Sequence, residues 1–512
     1  MVHKHQTGEL PNHGRGWKKV WNLPDQVQIG GGRVRSQTVN RYRRTCATTT
    51  GENSTFIKGK GKISKGTLPL PWKGDEMGSK LAILGGKPAV TVNTKELWKR
   101  PIEEEKRLVC ELIERGEITG AGYGISKEFE DEFKEYIGCE YCLTVDHGST
   151  ALESAYYAAG VGPGDEVITP AAGYIGSYSG ALHMGARPVF CEMDPKTLLM
   201  DPEDVEGRIT HRTRAINPVH MCGKVCDMDA LMDIGRRHGI TIVEDAAHAA
   251  GCEWDGKKIG NVGDIACFSL QGVSPGGKPV AGGEGGVVCT NNRELYERAL
   301  IYCHLHRRGI TEEITNPAYR GLDAEVLGLK YRAYPLALAI ALISLRNLPY
   351  RIERAIENRE RLFKGLRDIP GIEPVHTYPK ARWHGLYGGW EVIYHPEELG
   401  GLPPERFKEA LKAEGVPVRG HVWASGHPGE HLRMIYRRGF DLWGHGRGPL
   451  DTQHGFMGLP PFKPYKKGDF PITESLAERV ITLPAYIEPE RGLIEQFIEA
   501  FRKVAENYRE LL

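Results

Sequence analysis

One lysine stands in the most glycine-rich run of the chain, Phe268-Ser-Leu-Gln-Gly272-Val-Ser-Pro-Gly-Gly277-Lys278-Pro-Val-Ala-Gly-Gly283-Glu284-Gly285-Gly286. Two chemistries set a lysine among glycines. Gly272, Gly277 and Lys278 fill the first seven places of the phosphate-binding loop G-x-x-x-x-G-K-[ST], and an apolar run precedes them. The eighth place is Pro279, which offers no hydroxyl to magnesium and opens no helix, so the pattern argues against a nucleotide loop. The other chemistry is a Schiff base between Lys278 and pyridoxal phosphate, with glycines letting the backbone pass close to a flat ring.

Two further segments bear on that choice. Asp245 ends the apolar run Thr241-Ile-Val-Glu and is followed by Ala-Ala-His248. In an open parallel sheet, ligands sit beyond the carboxyl ends of the strands, where an aspartate can pair with a protonated ring nitrogen and keep the ring an electron sink. Taken alone, Asp245 reads equally well as a cap or an ion-pair partner. In Thr144-Val-Asp-His-Gly148-Ser149-Thr150-Ala-Leu-Glu, a strand gives way to a helix at small residues. Its unpaired amides and positive dipole end suit a phosphate, although ordinary helix starts share the pattern.

The elements that must position these residues follow from the pattern around them. From about Leu97, helical periods alternate with short β-branched runs: Asp165-Glu-Val-Ile-Thr169, Arg187-Pro-Val-Phe-Cys191 and Thr241-Ile-Val-Glu-Asp245. Met228 to His238 reads as a helix stopped by Gly239. Alternation of this kind predicts a mostly parallel sheet covered on both faces. After about Leu345 the texture changes. Arg351 to Leu366 reads as a long charged helix, Gly/Pro-rich loops follow, and Leu493, Phe497, Phe501, Val504, Tyr508 and Leu511 form a helical stripe, most simply core packing.

The order and wording of these segments resemble the DegT/StrS family of sugar aminotransferases, a branch of the fold type I pyridoxal-phosphate enzymes. The resemblance runs from about Leu81 to Leu512. Its most specific pieces are Gly160-Val-Gly-Pro-Gly-Asp-Glu-Val-Ile-Thr-Pro170, Pro218-Val-His-Met, Glu244-Asp-Ala-Ala-His248, Gly263-Asp-Ile-Ala-Cys-Phe-Ser269, Lys278 ahead of Gly283-Glu-Gly-Gly286, and Leu483-Pro484. It implies an α/β fold of the type I aminotransferase kind, with residues 77–345 a large cofactor-binding domain on a mostly parallel sheet. Residues 346–512 are then a smaller C-terminal α+β domain, and 1–76 a basic extension without a core.

The resemblance implies roles residue by residue. Lys278 would bond pyridoxal 5'-phosphate and shuttle the proton, Asp245 would face the pyridine nitrogen, and His248 would lie near the phenolic oxygen. Gly148 and Ser149 match the phosphate cup, Ser269 adds a phosphate hydrogen bond, and Tyr174 stacks on the ring. Lys330-Tyr331-Arg332 stands where the family has Asn-Tyr-Arg, which makes Lys330 and Arg332 candidates to reach the cofactor phosphate of a partner subunit in a homodimer. The implied reaction moves an amino group from glutamate or glutamine to a keto-sugar, in particular a nucleotide-linked one, or to a keto-cyclitol. A sugar dehydratase or a regulatory member of the same family is the alternative.

Three departures from the family pattern stand out. The serine matching Ser269 precedes the lysine by five positions in the family and by nine here, while the Gly-Glu-Gly-Gly side still lands on Lys278. Lysine replaces asparagine at 330. The chain is also longer than a family member, and the excess falls in Arg382 to Gly389 and in His421 to Phe470, the second of which, dense in Gly, His, Pro and aromatics, reads as either a pocket-shaping or a disordered surface loop.

Composition sets the outer bounds. Of 512 residues, 40% are hydrophobic and 26% charged, ordinary for a globular protein with a sizeable core. Glycine reaches 64 residues, well above the usual level of roughly 7%, which agrees with many turns or close backbone approaches. No apolar stretch is long enough for a membrane span and no secretory signal opens the chain, so a cytoplasmic setting is expected. The eleven cysteines, an odd number spread along the chain, read as reduced thiols, and neither Cys139/Cys142 nor Cys222/Cys226 has a partner pair at zinc spacing, so no metal is expected. Residues 1–76 carry 14 Lys/Arg against 5 Asp/Glu. A nucleic-acid arm or an organellar presequence would fit that charge, but a solvated extension, or a start codon set ahead of a true first residue at Met77, is the simpler expectation.

Overall fold

The structure is a computed structural model that describes residues 80–322, 328–419 and 428–512. The basic segment 1–76, and the expectations attached to it, lie outside the described residues. Seven strands form the main sheet: β1 (Tyr141–Val145), β2 (Glu166–Pro170), β3 (Arg187–Cys191), β4 (Thr213–Ile216), β5 (Thr241–Asp245), β8 (Ile265–Ser269) and β9 (Gly286–Thr290). Two-residue strands β6 (Glu253–Trp254) and β7 (Lys257–Lys258) form a small separate sheet with β11 (Ala381–Arg382). The main sheet runs in the order β1-β9-β8-β5-β4-β2-β3, parallel from β8 to β3, with β9 antiparallel to both neighbours. The expected mostly parallel sheet is therefore present.

Both faces of that sheet are buried, which is why its strands read as continuous apolar runs. Val167, Ala215, Val243 and Ile265 point to one side, against Ala151, Ala155 and Tyr156 of the helix Gly148–Ala158. Their neighbours Ile168, Ile216, Ile242 and Ala266 point to the other, into the larger core. Each fully buried aliphatic side chain contributes about 1.5–3 kcal/mol, so a one-residue slip in register would be heavily penalised. The helix Met228–His238 has the expected bounds, capped at its start by Asp227 and stopped by Gly239 in a left-handed conformation.

The C-terminal part carries its own antiparallel sheet of β10 (Ile372–Pro374), β12 (Trp390–Tyr394) and β13 (Val480–Leu483). The long helix Leu348–Leu366 and the final helix Leu493–Glu506 pack beside it, and the terminal apolar stripe is core, as expected.

Residues 428–470, the described part of the second long excess segment, are folded onto the edge of the main sheet. Phe190 on edge strand β3 packs edge-on against Tyr436, with Phe462, Tyr465 and Phe470 in the same cluster. Arg187 donates to Pro449 O at 2.8 Å and Pro460 O at 2.7 Å. This segment covers an edge strand that would otherwise offer its unpaired amides to another chain. Just beyond it, Glu192 accepts from the amides of Ile472 and Thr473, at 3.0 and 2.9 Å, and from the Thr473 hydroxyl. Replacing Glu192 with alanine should cost about 2 kcal/mol or more of stability, because three donors lose their acceptor. A urea-unfolding midpoint equal to the parent's would contradict that account.

Candidate active site

The three segments with chemical promise come from three strands that run in one direction, so their carboxyl ends share one edge of the sheet. β1 ends before Gly148, β5 ends on Asp245, and β8 leads to Lys278. Between them lies a cavity of about 610 Å³ lined by Gly148, Ser149, Tyr174, Asp245, His248, Ser269 and Lys278. Seven of the nine expected site residues are thus brought to one place. Lys330 and Arg332 are not. They pair with His304 and Val145 in isolated bridges outside the cavity walls.

Lys278 is 8% exposed, and among the described residues its amine has no hydrogen-bond acceptor. The amine lies 3.7 Å from the ring centroid of Tyr387. Burial pushes its pKa down to about 8, against the opposing pull of Asp245 and Cys222. An amine so placed is partly neutral near physiological pH and can accept a proton there.

Asp245 is 5% exposed, and its two oxygens are held separately. One accepts from Ser177 Oγ at 2.6 Å and the other from the amide of Ala247 at 3.1 Å. Its backbone is pinned as well, with its amide donating to Pro218 O and its carbonyl accepting from His220 N. Glu244 and His220 meet behind it at 3.1 Å, fully buried, which ties the Pro218-Val-His220 and Glu244-Asp245 motifs together. His248 accepts from Cys222 N at Nδ1, and its ring centroid lies 4.5 Å from that of Tyr387. Burial first, then the nearby Lys278 and Lys224 cations, hold its pKa well below the usual histidine value, so the ring is neutral.

The helix Gly148–Ala158 points its first turn into the cavity, where its leading amides cannot be satisfied within the helix. A Cβ on Gly148 would stand 2.8 Å from Ser269 Cβ, so the close approach of the two segments depends on glycine there. His147 and Glu284 also line this end, with His147 Nε2 3.9 Å from a Glu284 oxygen. Tyr174 stands at the rim, 58% exposed.

The extra residues before Lys278 form a closed side excursion. Lys278 N–H donates to Gln271 O at 2.9 Å, Gly277 N–H to Val273 O at 2.7 Å, and Gly272 and Gly283 exchange backbone bonds at 2.8 and 2.9 Å. Gly272 has φ +90°, and a Cβ there would lie 2.8 Å from Gly277 Cα. The chain leaves and returns at almost the same point, so the longer spacing does not displace Lys278 from the cavity.

Two important residues carry no sequence role above. Ser177 lies 68 positions from Asp245, in Gly176-Ser-Tyr-Ser-Gly180, and no spacing rule links them. Tyr387 comes from the first excess segment, where an aromatic flanked by glycines in Gly385-Leu-Tyr-Gly-Gly389 was the available signal.

The implied pyridoxal phosphate can be tested against these walls. An amine without an acceptor among the described residues, a fixed carboxylate at a strand end and the first amides of a helix are the three anchors that this group requires, and all three face one cavity. The residues fit the cofactor. Among the described residues, no group of three or more His, Cys, Asp or Glu side chains could hold a metal, and no helix is long and apolar enough to cross a membrane.

The sequence profile of the DegT/DnrJ/EryC1/StrS aminotransferase family matches residues 100–432. A putative L-glutamine:3-amino-2,3-dideoxy-scyllo-inosose aminotransferase of Streptoalloteichus tenebrarius is 31% identical over 442 residues, covering 84% of this chain and 99% of the relative. Among solved structures, S. venezuelae DesV in complex with a ketimine intermediate matches with a TM-score of 0.64 at 29% identity, over 79% of this chain and 95% of that one. DesI, solved in the presence of its TDP-sugar product, matches with a TM-score of 0.66 at 26% identity, over 85% and 98%.

The electrostatics of the cavity make a direct prediction for the cofactor-free protein. Asp245 stabilises the charged form of the Lys278 amine, so Asp245→Asn should lower the Lys278 pKa further below about 8. The pH dependence of reductive methylation at Lys278, followed by mass spectrometry, reads this directly. A midpoint that stays in place or rises in the variant contradicts the assignment.

Proposed function

The chain belongs to the DegT/DnrJ/EryC1/StrS aminotransferase family, whose cofactor is pyridoxal phosphate, and from that premise we propose that it transfers an amino group from glutamate or glutamine to a keto-sugar, nucleotide-linked, or to a keto-cyclitol. The observation that carries this reading is the Lys278 amine, 8% exposed as a residue and without a hydrogen-bond acceptor among the described residues, in one cavity with Asp245 and the start of the helix Gly148–Ala158. The amino-dideoxy-scyllo-inosose in the name of one relative and the TDP-sugar product of DesI support the two acceptor classes.

When bound, the cofactor supplies an electron sink that acidifies the donor's α-carbon. Lys278 Nζ takes the proton from that carbon and returns it at the neighbouring position, a role suited to an amine whose pKa is near 8. Asp245, with both oxygens held, keeps a proton on the ring nitrogen by charge. The leading amides of the helix Gly148–Ala158, with Ser149 and Ser269, hold the phosphate. Neutral His248 offers a hydrogen bond without adding a second cation beside Lys278, and Tyr174 closes the rim over the ring.

The reading includes a homodimer. Lys330 and Arg332 lie outside their own chain's cavity beside exposed Tyr334 and Leu329, which suits side chains that reach a neighbouring copy's phosphate. Lysine at 330 would act there by charge. Residues 77–345 are read as the cofactor domain and 346–512 as the smaller one, since each part has its own sheet. A cytoplasmic setting agrees with ten unbridged cysteines among the described residues.

Purified protein mixed with pyridoxal phosphate should develop visible absorbance that borohydride fixes as a covalent adduct, and peptide mapping should find that adduct on Lys278. Lys278→Ala should lose the adduct and at least about a thousandfold in amino transfer. An adduct on another lysine, or none, would overturn the assignment. Return of the aminated cofactor to its aldehyde form on adding a keto-sugar separates transamination from the dehydratase and regulatory alternatives.

A further inference from the structure

Arg351 occupies the buried side of the helix Leu348–Leu366 and is 2% exposed. Among the described residues its hydrogen bonds all go to neutral oxygens. Nη1 donates to Ser274 Oγ at 3.0 Å, and Nη2 to Pro279 O at 2.7 Å, Ser344 O at 2.8 Å and Ser344 Oγ at 3.2 Å. Nε is buried with no partner among the described residues, and the guanidinium carbon lies 5.4 Å from the Trp98 ring centroid. Among the described residues no carboxylate pairs with it. Burial lowers its pKa to about 10, so it remains a cation at neutral pH. A buried charge without a counter-charge is expensive, and an apolar side chain would fill the same space at lower cost.

What the cation does is visible in its acceptors. Ser274 lies four residues before Lys278 and Pro279 one after it, so the two bonds bracket the lysine. Ser344 extends the clamp, accepting from Ala281 N at 3.1 Å. The segment between is rich in glycine and would otherwise have wide backbone freedom. The same helix also holds the opposite wall of the chamber. Arg359 donates to the carbonyl of Trp383, and the His384 ring accepts from Leu386 N at 3.0 Å, which fixes the turn that delivers Tyr387.

We propose that Arg351 is the positioning residue of the amine-bearing loop: by gripping Ser274 and Pro279 it fixes the backbone on both sides of Lys278 and holds the amine over Tyr387. This rests on the reading of Lys278 as the cofactor lysine. Arg351 touches neither the cavity nor the reacting atoms. It acts through the loop that precedes and follows the lysine.

The test uses the full-length chain and the variants Arg351→Met and Arg351→Lys. In the cofactor-free proteins, the pH midpoint for reductive methylation of Lys278 is expected to rise by about half a unit or more in Arg351→Met, as the amine gains water. In the loaded proteins, kcat is expected to fall about ten- to hundredfold with KM for the donor changed less than about twofold, because orientation is lost and binding is not. Arg351→Lys, which can still reach part of the acceptor set, is expected to recover part of both effects. A methylation midpoint and kcat equal to the parent's in Arg351→Met would overturn the proposal. Should that variant fail to fold, Ser274→Ala, which keeps the cation and deletes one acceptor, carries the test, with a shifted midpoint expected and an unchanged one overturning it. Borohydride mapping of the parent protein separates the two levels. No adduct on Lys278 removes the premise and the proposal together, whereas an adduct with parent-like variants removes the proposal alone.

Discussion

An amine held out of bulk water keeps part of its charge only where neighbouring groups oppose the desolvation, and the walls of the cavity are built around that balance at Lys278. Burial lowers the pKa, while Asp245 first and Cys222 after it work in the other direction. The balance leaves the pKa at about 8, a displacement equivalent to about 3 kcal/mol between charged and neutral forms. Moving Asp245 away would tip that balance, and so its carboxylate is fixed by Ser177 on one oxygen and a backbone amide on the other.

The sheet makes this arrangement possible by direction. β1, β5 and β8 run the same way, so a helix start, a carboxylate and a lysine loop emerge on one edge although 130 residues separate Gly148 from Lys278 in the chain. Their strands are buried on both faces, and their register is fixed by apolar packing. The loops above them inherit that rigidity. The buried Glu244–His220 contact adds to it by tying β5 to the loop that follows β4.

Much of this was legible from residue types, because the features concerned are local. A strand that ends on Asp245, a helix that begins at Gly148 and a lysine between glycines each follow from a few consecutive residues, and the family resemblance joined them into one site. The sheet and the helix Met228–His238 were readable for the same reason. Ser177 and Tyr387 were not, since each acts across a distance that only the folded chain closes. Lys330 and Arg332 show the converse limit. Their motif is recognisable, yet one copy of the chain leaves them outside its own cavity.

The two excess segments show why length alone says little about role. Both carry glycines and aromatics, the second prolines as well, and neither has a sequence pattern that separates pocket from surface. What separates them is where the chain enters and leaves. Arg382 to Gly389 runs from the end of β11 to the start of β12, and His384 is tied to Ala250 O at 3.1 Å, two residues beyond the end of the Glu244-Asp-Ala-Ala-His motif. Of its two aromatics, Trp383 packs against Phe363 and Arg359, and Tyr387 turns to the lysine chamber. Residues 428–470 instead meet the main sheet at β3, the one strand of the parallel run with an open side. Their aromatics are drawn to Phe190 and their carbonyls to Arg187, so the same composition becomes an edge cover. Topology assigns the function, and composition supplies the side chains that each place can use.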